Sequence, residues 1–391
     1  MIEARIVERA EFKDLRMIAK VCFHGTVEDP ESLIPAEDEV LPEGWGAFAE
    51  DGTLLAGLVN HRFQSYLDGT LIENGGIGGV STLPEYRNTG AVRAIFTKML
   101  PASYRAGEVI STLFPFNHAF YRKFGYEVVC SLNQYEFKPE VLQKYRFTGR
   151  AELWKKGDPI DAYLKLYYGF AEKFNLPLRR TPERMMKRVI DGDFYKDRKF
   201  CYLLSDETGP IAYVVYQDVK NDPKAILRVL DLAFTDRTGF LAILGFLGRF
   251  TADYGTIQLP LPAGIELYSL IQSPKSYEVK KTTKQSYMVR VIHAKKLLAA
   301  IQKPEEASFV IRVSDEWIPE NNGTFSVSGA QVRKTTKKPD LVVSVRALAQ
   351  LGTGAVSLLE ASLREDVEIL GNEKVLSEVF RRKPLYIADH F

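Results

Sequence analysis

At 391 residues, 46% of them hydrophobic and 26% charged, the chain is long enough for two or three domains, each with its own core. A net charge of +2 argues against a nucleic-acid partner, which would call for a concentrated basic face. Cys22, Cys130 and Cys201 are scattered and odd in number, the five histidines are spread thinly, and the charged N-terminus has no apolar leader. No disulfide framework, metal site or membrane span of roughly 18 apolar residues is therefore expected, and a reducing cytoplasm fits.

In chain order, Ala4 to Val7 reads as a short strand, and Leu15, Ile18, Ala19 and Cys22 as the apolar face of a helix. From Gly25 to His61 there is no Lys or Arg, while Glu28, Asp29, Glu31, Glu37, Asp38, Glu39, Glu43, Glu50 and Asp51 are acidic. Such a run is usually a solvated face; at the mouth of a cleft it would concentrate cationic amines. Trp45 to Ala49 and Leu54 to Arg62 form a hairpin about the turn pair Asp51-Gly52, and Leu71 to Glu73 continues the sheet.

The next stretch, Gly76 to Tyr126, organises the rest. Ile77 to Leu83 is a strand that stops at Pro84, which cannot donate to a ladder. Arg87-Asn88-Thr89-Gly90 is a tight turn in which Gly90 lets backbone and ligand approach closely. Val92, Ile95, Phe96, Met99 and Leu100 then share one face of a helix. The first amides of that helix lack internal partners and stand at the positive end of its dipole, which suits a pyrophosphate. The pattern is neither the three-glycine dinucleotide fingerprint nor a P-loop. Val109 to Phe114 makes a second strand, and Asn117 to Phe124 a short helix closed by Gly125.

Arg87-x-x-Gly90, followed by Phe120-Tyr121-Arg122-Lys123-Phe124-Gly125-Tyr126, resembles the GNAT N-acetyltransferases. Total length, a second degenerate copy and the C-terminal tail make the closer likeness the enhanced-intracellular-survival (Eis-type) members. Val92 departs from the general loop, where many members have Gly or Ala; Eis-type members tolerate a larger aliphatic residue there. The resemblance implies an α/β (α+β) fold of two tandem GNAT-like domains, the second degenerate, followed by a sterol-carrier-like α+β domain. The expected bounds are 1–138 for the catalytic domain, 139–284 for the degenerate copy, and 285–391 for the third domain, whose C-terminus reaches the active site.

The second copy is legible residue by residue. The strand-turn-strand of Phe200 to Tyr216 echoes Gly46 to His61, and Leu230 to Leu247 echoes Val80 to Phe96, with Thr238-Gly239 in the place of Thr89-Gly90. Asp236 takes the place of Arg87 and would repel a pyrophosphate. Tyr268 falls near the counterpart of Tyr121. Helix starts are read at Asp158-Pro159 and Thr181-Pro182. In the third unit Ala294 to Ile301 is a helix, Phe309 to Val313 a strand, Gly323 to Val327 and Val332 to Thr335 a hairpin, and Leu341 to Val345 a strand. A helix from Arg346 to Leu351 is ended by Gly352, and Glu373 to Phe380 is the last helix.

The chemistry that the resemblance implies is transfer of an acetyl group from acetyl-CoA, the co-substrate, to a primary amine. The backbone of Val80, Ser81 and Thr82 and the loop Arg87, Asn88, Thr89, Gly90, Ala91, Val92 and Arg93 would hold the coenzyme, with Phe116 and Asn117 alongside. Tyr121 would protonate the leaving thiolate; its ordinary pKa, about 10, keeps it protonated at neutral pH. Tyr126 is read as the structural start of the next strand. No side chain is an obvious base, His24, His61 and His118 each standing isolated. The family supplies the terminal carboxylate of Phe391, whose ordinary pKa of about 3.5 burial would have to raise. The acceptors implied are aminoglycosides, polyamines or lysine ε-amines, and the assembly implied is a homo-oligomer, a hexamer in relatives. Transfer of a longer acyl chain, and a lipid-binding or regulatory protein without turnover, are the alternatives.

Overall fold

The computed structural model describes residues 2–27, 29–192, 196–220, 224–271 and 278–391, with backbone only at 188 and 284–286. Twelve strands form one sheet: β1 (Glu3–Ile6), β2 (Glu43–Phe48), β3 (Leu54–Leu67), β4 (Thr70–Thr82), β5 (Ile110–Leu113), β6 (Glu127–Phe137), β7 (Arg150–Leu153), β8 (Lys199–Asp206), β9 (Gly209–Val219), β10 (Ala225–Phe234), β11 (Tyr254–Pro262) and β12 (Val279–Val291). Their order is 1-2-3-4-5-12-6-11-10-9-8-7. A second sheet holds β13 (Ser308–Ser314), β14 (Gly323–Ser328), β15 (Gln331–Lys334), β16 (Leu341–Ser344) and β17 (Val367–Ile369), in the order 15-14-13-16-17. Helices pack on both sheets, so the mixed α/β class read from the sequence holds.

The large sheet carries the same irregularity twice. β4 and β5 pair in parallel only from Asn74–Ile110 to Ile77–Leu113, after which β4 runs on with β3 alone. The β3–β4 register slips between Val59–Gly78 and Gly57–Ser81, and Gly79 inside that slip has φ of +61°, a conformation that favours glycine. In the second unit β10 and β11 pair in parallel only as far as Arg228–Gln258, and the β9–β10 register slips between Val229 and Asp231. Each unit thus has two strands that part company next to a bulge. The strand expected from Ile77 to Leu83 is the final part of this longer, bulged β4.

β12 runs through the boundary expected near Gln285. Its C-terminal half inserts between β5 and β6, pairing Met288 with Leu113 and Val289 with Glu127, so that a strand following the second unit completes the sheet of the first. Two helix signals also shift. Asp158 accepts from the amide of Lys155 in a turn, and the helix begins only at Asp161. The helix Val345–Thr353 passes Gly352 and ends at Gly354, whose φ is +80°. Gly352 instead gives room to Leu297, which a Cβ there would meet at 2.8 Å. The apolar faces behave as their spacing requires: Ile95, Phe96, Met99 and Leu100 of the helix Ala91–Ala106 are buried against the first half of the sheet.

Candidate active site

The coenzyme residues named from the sequence gather at one end of the first splay. The helix Ala91–Ala106 has Gly90 as its N-cap at φ +89°, preceded by Asn88 at +65°, and no side chain caps it. The amides of Ala91, Val92 and Arg93 are therefore left for a ligand, behind an exposed Arg87-to-Gly90 turn in which a Cβ at Gly90 would meet nothing within 4 Å. Val80, Ser81 and Thr82 form the stretch of β4 beyond its pairing with β5. These features fit a pantetheine arm laid along β4 with its diphosphate on the helix end. Arg93 is held over the indole of Trp317 at 5.4 Å, a contact from the third unit.

Tyr121 sits on the helix His118–Arg122 and is buried. Burial pushes its phenol well above 10, so it stays protonated, and its hydroxyl has no hydrogen-bond partner among the described residues. Neighbouring Tyr126 is the contrast: fully buried, its hydroxyl shares a 2.7 Å hydrogen bond with Ser111 on β5. Phe116 is not a core residue; it is 70% exposed and packs on Phe120 and Tyr121 at 5.1 and 5.4 Å. Asn117 caps the Tyr121 helix by accepting from the amide of Phe120 at 3.1 Å. Two later parts of the chain tether that helix: Arg290 on β12 donates to Phe124 O at 2.9 Å, and Trp317 donates to Lys123 O at 2.9 Å. Buried Asp315 in turn holds Arg290 at 2.7 Å.

The C-terminal tail threads back to the first unit. Tyr386 buries its ring in the core of the second unit, while Leu385 and Ile387 face the core shared with the third. Asp389 is buried and bound by Arg180 and Arg184, each at 3.1 Å, and Arg180 is gripped from its other side by Asp231 at 2.8 and 2.9 Å. Burial works against the charge of Asp389, but the two guanidinium groups outweigh it and hold the carboxyl below its usual range. Tyr287 donates to Asp389 O at 2.6 Å, and Arg184 to His390 O at 3.1 Å. The ring of Phe391 then rests on Phe63 at 5.1 Å, and its carboxyl carbon comes within 2.9 Å of the place a Cβ would occupy at Gly78. Only glycine at 78 leaves space for the terminus, one residue before the bulge. His61 Nε2 lies 3.7 Å from that same point. Nothing in the local sequence pairs His61 with the terminus; strand register alone brings it there.

The acidic run looks less like a free field than its composition suggests. Glu39 is paired with Arg16, and Glu43 with Arg62 at 2.6 Å, and Arg62 also holds buried Glu108 at 2.8 Å. Glu28 lies outside the described residues.

The second unit has closed its version of the anion site. Asp236 is the N-cap of the helix Arg237–Leu247, and its carboxylate accepts from the amides of Thr238 and Gly239 at 2.8 and 3.2 Å, the groups a diphosphate would need. Tyr268, the counterpart phenol, donates to Val279 O at 2.6 Å. Among the described residues no group of His, Cys, Asp or Glu is arranged to hold a metal, and no helix is long and apolar enough to cross a membrane.

Comparison with known protein families matches two parts of the chain. Residues 3–129 match the acetyltransferase (GNAT) domain family, and residues 294–388 the sterol carrier protein domain family. Three solved structures match over the whole of both chains. They are a GCN5-related N-acetyltransferase from Anabaena variabilis ATCC 29413 (21% identity, TM-score 0.86), a probable N-acyltransferase from Enterococcus faecalis V583 (20%, 0.85), and Eis1 from Mycobacterium abscessus (21%, 0.83). No curated protein sequence matches the chain. The unplugged helix end beside a splayed strand lies within residues 3–129, which form an acetyltransferase (GNAT) domain, and the chain shares its fold over its whole length with Eis1.

Proposed function

We propose that the chain transfers an acetyl group from acetyl-CoA to a primary amine by direct attack on the thioester. The diphosphate rests on the amides of Ala91 to Arg93 and the pantetheine arm lies along Val80 to Thr82. The amine nitrogen attacks the thioester carbonyl, the carbon–sulfur bond breaks, Tyr121 gives its proton to the departing thiolate, and the Phe391 carboxylate takes the proton the amine loses. Aminoglycosides, polyamines and lysine ε-amines are the acceptors to try first.

The observation that carries this reading is the delivery of the terminal carboxylate to Gly78, at the splay, by an anchored tail. A frayed terminus would have no use for a buried double ion pair two residues before its end. The test is free-thiol release from acetyl-CoA across those amines, with myristoyl-CoA as a second donor. The expected result is amine-dependent release with acetyl-CoA that exceeds release with myristoyl-CoA. A preference for the long chain would hand the reading to longer-chain transfer, and no amine-dependent release with either donor would leave a ligand carrier.

A further inference from the structure

The second splay is not filled. Where β10 and β11 part, beneath the bulge at Leu230, lies a cavity of about 520 Å³, closed on one side by the tail from Tyr386 to His390. That volume is in the range of small-molecule sites. The cavity reaches the first unit through Phe114, the residue following β5, and Tyr287 on β12, whose rings meet at 5.6 Å. Tyr287 also stands 6.3 Å from the Phe391 ring, so the cavity opens beside the proposed base.

Its walls are mostly apolar: Leu132, Val189, Val229, Leu230, Pro260 and Ile387 among them. The charges at its edge cancel. Arg180, Asp231 and Asp389 line it; Arg180 pairs with both carboxylates, and Arg184, outside the lining, pairs with Asp389 as well, two cations for two anions. A polycation entering here would lose hydration and find, within the lining, only carboxylates already paired to arginines. A polar group is unspent: Gln134 lines the cavity, and its Nε2 is buried with no acceptor among the described residues. Such a donor is costly unless a ligand or water meets it.

We propose that this cavity seats the body of the acceptor, and that among primary amines it favours one on an apolar, aromatic-sized carrier bearing a hydrogen-bond acceptor for Gln134 over the polycations. In this arrangement the second copy, having lost its coenzyme, uses its splay to present the amine to the thioester held in the first. The inference rests on the acetyl-transfer reading above.

The test compares 4-phenylbutylamine with spermidine and kanamycin as acceptors from acetyl-CoA, in the full-length protein and in Leu230→Trp. Leu230 is 39% exposed on the bulge, so the larger ring can be accommodated while it fills the cavity. The expected result is a kcat/KM for 4-phenylbutylamine at least ten-fold above that for spermidine. Leu230→Trp should lower it at least ten-fold, with the KM for acetyl-CoA unchanged. Gln134→Leu should weaken an amide-bearing phenylalkylamine several-fold and spare 4-phenylbutylamine. A preference for spermidine or kanamycin, or equal losses for all three amines in Leu230→Trp, overturns the proposal. Calorimetric titration of 4-phenylbutylamine without coenzyme separates the two readings. Binding that Leu230→Trp removes, without thiol release, sinks acetyl transfer and keeps the site; thiol release that ignores Leu230→Trp does the reverse.

Discussion

The first and second units differ less in fold than in what each does with the same three features. Both have a bulge, a parting of parallel strands, and a helix whose first amides face that gap. In the first unit the amides are uncapped, the phenol of Tyr121 has no hydrogen-bond partner among the described residues, and the gap meets the chain terminus. In the second, Asp236 occupies the amides, Tyr268 is tied to a carbonyl, and the gap is a mostly apolar cavity that the tail closes on one side. Single polar contacts therefore suffice to occupy such a helix end without disturbing the sheet beside it.

Four experiments bear on that contrast, the strongest first. Removing Phe391 should cost about three orders of magnitude in kcat, the middle of the range for a general base, and leave the KM for acetyl-CoA nearly unchanged. Undiminished turnover would take the carboxylate out of the chemistry. Replacing Asp389 by Asn, which unpairs Arg184 and half of Arg180's partners, should lower stability at pH 7 by about 3 kcal/mol. Because the Asp389 carboxyl is held below its ordinary range, its contribution is complete above the unfolded value of about 4 and vanishes as the pH falls through the folded one. Unfolding curves of the wild type and Asp389→Asn should therefore converge in acid.

Tyr121→Phe should lower kcat about a hundred-fold, whereas Tyr268→Phe should leave it alone; equal effects would erase the distinction between the phenols. The smallest expected effects are at the two helix ends. Gly90→Ala puts a Cβ on a backbone at φ +89°, and should raise the KM for acetyl-CoA about ten-fold, or about 1.4 kcal/mol. Asp236→Ala should leave that KM unchanged and lower stability by about 1 kcal/mol, the usual worth of a cap. Coenzyme binding in the second unit of Asp236→Ala would show that the plug alone had closed it.

Local pattern made most of this architecture readable. The hairpin at Asp51-Gly52, the helix face from Ile95 to Leu100 and the echo of Val80–Phe96 in Leu230–Leu247 all rest on contacts close in sequence. Asp236 could be read as hostile to a diphosphate, though its hydrogen bonds to Thr238 and Gly239 appear only in three dimensions. Long-range pairing was out of reach. That His61 and Phe391 meet at Gly78 depends on the β3–β4 register and on a tail anchored at Arg180, more than 200 residues away in sequence from Asp389. The third-unit residues Asp315 and Trp317, which steady the Tyr121 helix through Arg290 and Lys123, carry no motif that would reveal it.

The placement of β12 has a consequence for biogenesis. When the ribosome has released residue 138, the N-terminal half of the large sheet still lacks the strand that belongs between β5 and β6, and that strand arrives only once Val291 has emerged. Until then two neighbouring strands present unsatisfied backbone edges to water, a hazard for self-association. Nascent chains stalled between those two lengths should be the ones that chaperones capture, and a gene fragment cut at residue 138 should yield aggregate where the full-length gene yields protein.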